Sequence, residues 1–310
     1  MSQTQSIVAK ILDLHPAGHD KYSAKGDIGG LSRTNRIYGG LYTAQSMSAA
    51  AKTVPDGFFV NSLHGHFTYG GDTRKPLLYE IERIRDGVTF QCRGVRVRQE
   101  EHTLYACQMS FCSMAYNDAQ GYPEHQSVQM PAAPLPLDLD DAATVLMKGL
   151  QLAGLRQDQR NMLQERLKNL PTTFDCKPCE PDVYLRLKPE NARLLLWVKS
   201  KEKLGDDWFE HNMVAAYISD STLVTTSILP HQKPGFYEAI KTSPVCSLDH
   251  SVWFHRPKFR IDDWMLYEQD SPIAESGRGL SHGKLWDQSG KLVMSVSQET
   301  LIKLRFGNNS

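Results

Sequence analysis

The sequence predicts a duplicated α+β chain, in which one helix followed by an antiparallel meander occurs twice. Three observations predict it. First, His64-Gly65-His66-Phe67 leads into Leu77-Leu78-Tyr79-Glu80, and His250-Ser251-Val252-Trp253-Phe254 leads into Met265-Leu266-Tyr267-Glu268, with Arg93-Gly94 and Arg278-Gly279 following in turn. The matched positions lie about 185–188 residues apart, and a repeat of that length denotes two similar domains, not a stacked solenoid. Second, each copy joins a helical run of small or apolar residues to segments of period-two alternation. Third, a proline-rich stretch divides the copies. A chain of 310 residues has room for two such cores.

Ile7 to Leu14 is amphipathic and passes into a Gly/Ser/Lys-rich segment that ends at residue 36. Gly39-Gly40 then opens a run dense in Ala, Ser and Met, closed by Val54-Pro55-Asp56-Gly57. Small side chains let a helix pack tightly on a sheet, so residues 40–53 read as one central helix. Val60–Tyr69, Leu77–Arg85, Thr89–Gln99 and Thr103–Ser113 read as strands; Val95-Arg96-Val97-Arg98 alternates strictly, and Gln99–His102 suits a hairpin turn. Pro123, Pro131, Pro134 and Pro136 make residues 115–139 an extended linker packed on the outside. Leu146, Leu150, Leu163 and Leu167 space a helix from Asp140 to Asn169, stopped by Pro171. The second copy starts near Phe174: strands at Val183–Leu187 and Arg193–Lys199, a helix over Phe209–Ser219, then strands around Ser247–Phe254, Met265–Glu268, Gly277–Trp286 and Leu292–Leu304. The expected division is therefore an N-terminal domain over 1–114, a linker over 115–173 and a C-terminal domain over 174–310.

The charges balance, with 35 basic and 35 acidic residues, so no global field draws nucleic acid and none is expected as a partner. Cys92, Cys107, Cys112, Cys176, Cys179 and Cys246 are too scattered for a disulfide framework and read as reduced intracellular thiols. Cys176-Lys177-Pro178-Cys179 is a lone CxxC without a second pair or His cluster, so no metal site is expected. Met1–Ser6 lacks a basic start with an apolar core, and no run approaches ~18 apolar residues, which predicts neither secretion nor a membrane span. Phe306-Gly307-Asn308-Asn309-Ser310 differs from the Ser-Lys-Leu type of peroxisomal address.

Several blocks resemble the type II acyl-CoA thioesterases, the family of bacterial thioesterase II and the peroxisomal acyl-CoA thioesterases. In the first copy these are Tyr38-Gly39-Gly40 with Gln45, Ser62-Leu63-His64, Gly71-Asp72 with Lys75-Pro76, Tyr79-Glu80-Ile81-Glu82-Arg83 and Arg85-Asp86-Gly87. In the second they are Ala216-Tyr217-Ile218-Ser219-Asp220, Leu248 through Pro257 (LDHSVWFHRP), Trp264-Met265-Leu266-Tyr267, Ser276-Gly277-Arg278-Gly279 and Ser297-Gln298-Glu299. The resemblance implies a tandem double hotdog, each unit a central helix wrapped by an antiparallel sheet. It implies hydrolysis of fatty acyl-CoA to free fatty acid and CoA, without cofactor or covalent intermediate, CoA being part of the substrate. It also implies a homo-oligomer and a peroxisomal matrix location, with the cytosol open because of the differing C-terminal address. The water-activating set of the family maps to Asp220, Ser247 and Gln298.

Thioester hydrolysis needs a base for the water's proton, two polar groups to fix the water, and donors for the oxyanion, which a carboxylate, Ser247, Gln298 and backbone N–H groups at a Gly39-Gly40 helix start can supply. Gln298 alternates with Met294, Val296 and Thr300, which puts it on a buried face where its amide must find partners. Away from the family, Asp220 reads as a cap and Ser247 as a small strand residue. His64 and His250 hold matching positions and read as buried scaffold residues, His64 and Arg278 being further substrate-binding candidates together with Gly39 and Gly40. Arg74, Lys75, Lys258 and Arg278 are candidate contacts for the CoA phosphates. Two other functions suit the fold: a non-catalytic acyl-CoA-binding protein, or an enoyl-CoA hydratase-type lyase, which the opposite facing of adjacent Asp249 and His250 disfavours. No Gly-x-Ser-x-Gly or Gly-x-Gly-x-x-Gly motif occurs. Matching the copies pairs Ser247 with Asn61, Gln298 with Ser110 and Asp220 with Gln45 or Ser46, so one catalytic centre per chain is expected.

Overall fold

The computed structural model describes residues 6–25, 36–237, 239 and 245–303. It opens with helix α1 (Ile7–Leu12) and a short hairpin, β1 (His15–Gly18) and β2 (Lys21–Ala24). Helix α2 (Gly39–Ala51) and strands β3 (Phe58–Phe67), β4 (Leu77–Asp86), β5 (Phe90–Gln99) and β6 (His102–Ser113) complete the first copy. The connection carries α3 (Met114–Asn117), α4 (Ala142–Leu150) and α5 (Gln157–Lys168). The second copy comprises β7 (Phe174–Pro178), α6 (Pro181–Leu185), β8 (Arg193–Ser200), α7 (Trp208–Ser219), α8 (Leu223–Thr226), β9 (Val245–Ser247), β10 (Asp249–Phe254), β11 (Met265–Glu275), β12 (Arg278–Trp286) and β13 (Leu292–Ile302).

The strands form one 13-stranded sheet in the order β1-β2-β4-β5-β6-β3-β10-β13-β12-β11-β8-β7, with β9 pairing β13. Reading outward from the middle, β3, β6, β5, β4, β2 and β1 mirror β10, β13, β12, β11, β8 and β7, so the duplication is a pseudo-twofold about the antiparallel β3–β10 seam. There Leu63 lies opposite Val252, both fully buried. One helix from each copy enclosed by a shared antiparallel sheet is the α+β double hotdog expected from the sequence.

Helices α2 and α7 lie against each other inside the sheet. Both are buried nearly all round, and α2 achieves this with Gly40, Ala44, Ser46, Ser48, Ala49 and Ala50, whose small side chains let another helix come close. The linker lies on the outer face of the second copy. Trp197 Nε1 donates to Pro134 O at 2.8 Å and Lys177 Nζ to Pro136 O at 2.6 Å. Met130, Ala133 and Leu139 pack there on Cys179, Leu195, Trp197, Leu266 and Trp286.

Three expectations differ from the structure. Val183–Leu187, read as a strand, instead starts within α6 and runs past its end at Leu185, because Pro181 at its first turn presets a helical start and Arg186 closes it in the left-handed region. The single helix over Asp140–Asn169 is two helices: Gly154 between them takes φ +75°, which no continuing right-handed helix accommodates. The segment before residue 36 holds the β1–β2 hairpin, and the last predicted strand extends to Leu304, which lies outside the described residues. All six cysteines are free, and among the described residues no three His, Cys, Asp or Glu side chains are grouped to hold a metal ion.

Candidate active site

The site grows from the way α7 ends. Asp207 caps its start, accepting from Phe209 N–H at 2.9 Å, and Glu210 sits in the first turn where the helix dipole favours an acid. The final carbonyls have no intrahelical donors and must find others. Tyr38 OH donates to Tyr217 O at 2.7 Å, Tyr267 OH to Ser219 O at 2.8 Å, and Ser221 N–H to Ile218 O at 3.0 Å. One clamp comes from the start of α2 and one from β11, so both copies fix the end of α7. Asp220 is the capping residue, and three residues later the chain resumes as α8.

The Asp220 carboxylate is buried against the start of α2. Its Oδ2 accepts from Gly40 N–H at 2.9 Å, and its Oδ1 accepts from Gln298 Nε2 at 3.1 Å and from Ser247 Oγ at 3.4 Å. Gln298 Nε2 also donates to Ser247 Oγ. Burial raises the Asp220 pKa to about 7, while the Gly40, Gln298 and Ser247 donors pull it back toward the ordinary range. The result is a carboxyl group that changes charge near neutrality, suited to general-base work. Tyr38, Tyr217 and Tyr267, whose own pKa values burial raises, surround it without adding charge.

Each sheet residue arrives by alternation. Gln298 stands on the inward face of β13 with Met294, Val296 and Thr300, fully buried. Ser247 ends β9, whose register sets it opposite Thr300 on β13. His250, fully buried on the inward face of β10, lies with Nδ1 3.2 Å from Gln298 Oε1 and Nε2 2.9 Å from Ser219 Oγ. Its pKa falls to about 4, chiefly because burial penalises the cation, so the ring is neutral.

Asp220, Ser247 and Gln298, chosen from the sequence, are thus brought into mutual contact. Gly39 and Gly40 belong to the same place for a steric reason. A Cβ on Gly39 would lie 2.7 Å from Asp220 Oδ2, and one on Gly40 would lie 2.4 Å from Tyr217 O. Only glycines let α2 meet α7 this closely. The Gly40 N–H, expected to face a thioester oxygen, instead donates to the carboxylate.

Other candidates lie elsewhere. His64 and His250 are not equivalent: register pairs Ser251 with His64 and His250 with Gly65, so His64 faces outward, its ring edge-on to Trp253 at 5.0 Å. A one-residue slip in matching the copies reverses the face. The same slip affects Ser110, which sits opposite Ser62 and only half-buried, whereas Gln298 is fully buried. Arg278, at the start of β12, pairs with Glu299 at 3.4 Å beside an open cleft of about 420 Å³ lined by Asp249, Ile273 and Glu275. Arg74 pairs with Asp72, Lys75 with Glu100 and Lys258 with Asp118. Asn61 is half-buried on β3, and Gln45 accepts from Tyr79 OH at 2.6 Å. Ser46 is buried with no ionisable group at its position. Sequence reasoning missed the tyrosine clamps on α7 and the partners of His250, which is the buried, hydrogen-bonded residue expected whereas His64 is exposed; the inward alternation of β10 and β13 was the signal available.

Comparison with known proteins gives concordant results. A family model described as acyl-CoA thioesterase matches residues 188–301, and one described as the acyl-CoA thioesterase N-terminal domain matches residues 29–114. The chain is 36% identical over 300 residues to acyl-coenzyme A thioesterase 8 of Mus musculus, covering 96% of this chain and 89% of that one. It is 26% identical over 344 residues to peroxisomal acyl-coenzyme A thioester hydrolase 1 of Saccharomyces cerevisiae, covering 95% and 93%. Among solved structures, an acyl-CoA thioesterase II, TesB2 from Mycobacterium marinum, superposes with a TM-score of 0.73 at 31% identity, covering 98% of this chain and all of that one. A hot dog fold protein from Alicyclobacillus acidocaldarius, 15% identical with a TM-score of 0.72 and coverage of 97% and 100%, shares the fold.

Proposed function

Since the chain belongs to the acyl-CoA thioesterase family and hydrolyses acyl-CoA thioesters, we propose that Asp220, Ser247 and Gln298 activate the attacking water. The supporting observation is that Ser247 Oγ and Gln298 Nε2 converge on one oxygen of a buried carboxylate whose other oxygen is held by Gly40 N–H. The ionised Asp220 takes a proton from water as its oxygen bonds to the thioester carbonyl carbon. Ser247 and Gln298 fix the line of approach. The tetrahedral intermediate then collapses, the C–S bond breaks, and the proton held by Asp220 passes to the departing CoA sulfur. This leaves free acid, CoA and the carboxylate ready for another water. No cofactor enters the scheme.

The acyl group is proposed to be fatty, as the family resemblance implies. The carboxylate has no counterpart in the first copy, so one centre per chain is proposed, in the domain over 174–310, with the 1–114 domain supplying Gly40 and Tyr38 and residues 115–173 the linker. The hydratase reading loses further support, because Asp249 Oδ1 accepts from Glu299 N–H while His250 faces the other side of the sheet. Release of free thiol from a fatty acyl-CoA tests the scheme. Wild type turns over, and Asp220→Asn loses about 10²–10⁴-fold in kcat, the usual worth of a general base. A wild type that binds acyl-CoA without thiol release restores the binding-protein reading, and full activity in Asp220→Asn removes Asp220 from the mechanism.

A peroxisomal location is proposed from the likeness to the yeast protein's name, and colocalisation of the tagged chain with a peroxisomal marker checks it. Assembly as a homo-oligomer is proposed from the family, and sedimentation equilibrium decides it.

A further inference from the structure

We propose that His250 is a positioning residue for this site: through Nδ1–H it holds the Gln298 carbonyl, so that the amide NH₂ faces Asp220, and Ser219 fixes the tautomer that makes this possible. The inference rests on the proposed roles of Asp220 and Gln298. It follows from counting protons along one buried chain of contacts.

An ionised Asp220 only accepts, so the Gln298 atom facing its Oδ1 at 3.1 Å must be the nitrogen. The carbonyl end, Oε1, then points at His250 Nδ1, 3.2 Å away. An amide oxygen cannot donate, so Nδ1 must carry the proton. A neutral ring has one N–H, so Nε2 is left with a lone pair facing Ser219 Oγ at 2.9 Å. The Ser219 hydroxyl has a choice, because Ala216 O also lies 2.9 Å from it. With Nδ1–H in place, its proton goes to Nε2 and the bond to Ala216 O is given up, a loss at the helix end and not at the Gln298 amide. The donors therefore run in one direction: Ser219 O–H to His250 Nε2, His250 Nδ1–H to Gln298 Oε1, and Gln298 Nε2–H to Asp220 Oδ1.

The opposite tautomer fails at a specific contact. With the proton on Nε2, the Nδ1 lone pair would face Gln298 Oε1. Turning the amide over would cure that contact and set Oε1 against the carboxylate instead. Either way two acceptors meet inside a buried site, where an unmade hydrogen bond costs most. Gln298 also needs the support because its amide serves two partners, Asp220 and Ser247. His250 touches neither and acts only through Gln298, Ser219 being the residue at the end of α7 that precedes Asp220. The titratable groups packed around Asp220 are Tyr38, Tyr217, Tyr267 and, farther off, Tyr105, and none of them touches the amide.

The test compares His250→Leu, His250→Asn and wild type with a fatty acyl-CoA, measuring kcat, KM and the pH dependence of kcat. The leucine variant cannot hold the amide. Its kcat is expected to fall by about 10- to 100-fold with KM nearly unchanged, the loss typical of a misplaced catalytic group, and the acid limb of the profile to move to higher pH as Asp220 loses an aligned donor. Asparagine places Nδ2–H where Nδ1–H stood and should recover most of the kcat and return the limb. Wild-type kcat in His250→Leu, or an asparagine variant no better than leucine, overturns the inference. If it fails while Asp220→Asn is inactive, the proposed mechanism stands without it; if Asp220→Asn is fully active, the mechanism itself has failed. Should the leucine variant not fold, ¹⁵N NMR of the wild-type imidazoles decides, with the His250 resonances identified by their loss in His250→Asn: an Nδ1–H signature sustains the inference and an Nε2–H signature overturns it.

Discussion

Replacing Asp220 by Asn should make the protein more stable as pH rises, relative to wild type, because the carboxyl group is held in a place that disfavours its charge. Burial lifts its pKa from 3.8 to about 7. Below the unfolded value the group is protonated in both states and adds nothing pH-dependent. Between 3.8 and about 7 the unfolded chain gives up this proton while the folded chain keeps it, so wild-type stability declines by about 1.4 kcal/mol per pH unit. Above the folded value both states are ionised and the loss is complete. Asparagine does not titrate. It does misplace one hydrogen bond, since its amide must turn NH₂ toward either Gly40 N–H or the Gln298 NH₂, but that cost is constant with pH. Subtracting wild type from variant cancels the other titrating groups, so the difference should grow by about 2–3 kcal/mol between about pH 5 and pH 8. Urea unfolding of both proteins at several pH values across that range measures it. A flat difference would mean that Asp220 ionises in the folded state as readily as in the unfolded one, and the burial argument would be wrong.

Two neighbouring glycines should separate activity from stability. Gly39→Ala sets a methyl 2.7 Å from Asp220 Oδ2 and 3.0 Å from the Phe67 ring, both side chains that can shift, so thiol release should fall about 10- to 100-fold with a smaller loss of Tm than Gly40→Ala. Gly40→Ala sets one 2.4 Å from the Tyr217 carbonyl oxygen, which is backbone, so α2 and α7 must part and thermal unfolding should show about 1–3 kcal/mol of lost stability. Ser247→Ala removes the hydroxyl shared with Gln298 and Asp220 and should cut kcat at least ~10-fold, whereas Ser247→Thr keeps a hydroxyl and should retain most of it. Equal kinetics for the alanine and threonine variants would take Ser247 out of the mechanism.

What the sequence disclosed divides along physical lines. The strands from Leu77 to Ser113 were legible because their alternation comes from burial of one face, and the helices at 40–53 and Phe209–Ser219 because they are runs of small or apolar residues, buried nearly all round; the structure places β4–β6, α2 and α7 there. Elements whose conformation depends on one residue were less so: α6 turns on Pro181 and the break between α4 and α5 on Gly154. The β1–β2 hairpin is short, and β1 is exposed along its whole length, so it has no apolar alternation to read. Facing was the hardest quantity. Repeat offsets that vary by a few positions cannot fix a strand's phase, so they match His64 with His250 and Ser110 with Gln298 although the register of β3 with β10 and with β6 puts the members of each pair on opposite faces. The site residues Asp220, Ser247 and Gln298 come from three separate elements, a helix end, an edge bridge and a central strand. No local pattern joins them: alternation marked Gln298 as a buried polar residue, and family likeness was needed to pick out Asp220 and Ser247 and to join the three. The part played by Gly40 was invisible for the same reason, its partner being 180 residues away.

The central claim is that a buried Asp220, held by Gly40, Ser247 and Gln298, is the base that activates water. The pH dependence of kcat/KM for fatty acyl-CoA hydrolysis by the wild-type enzyme tests this most directly. With the base ionising at about 7, the profile should climb with unit slope from the acid side and level off above that midpoint. A rate constant that stays level from about pH 5 upward, or a limb centred near the ordinary carboxylate value, would contradict it.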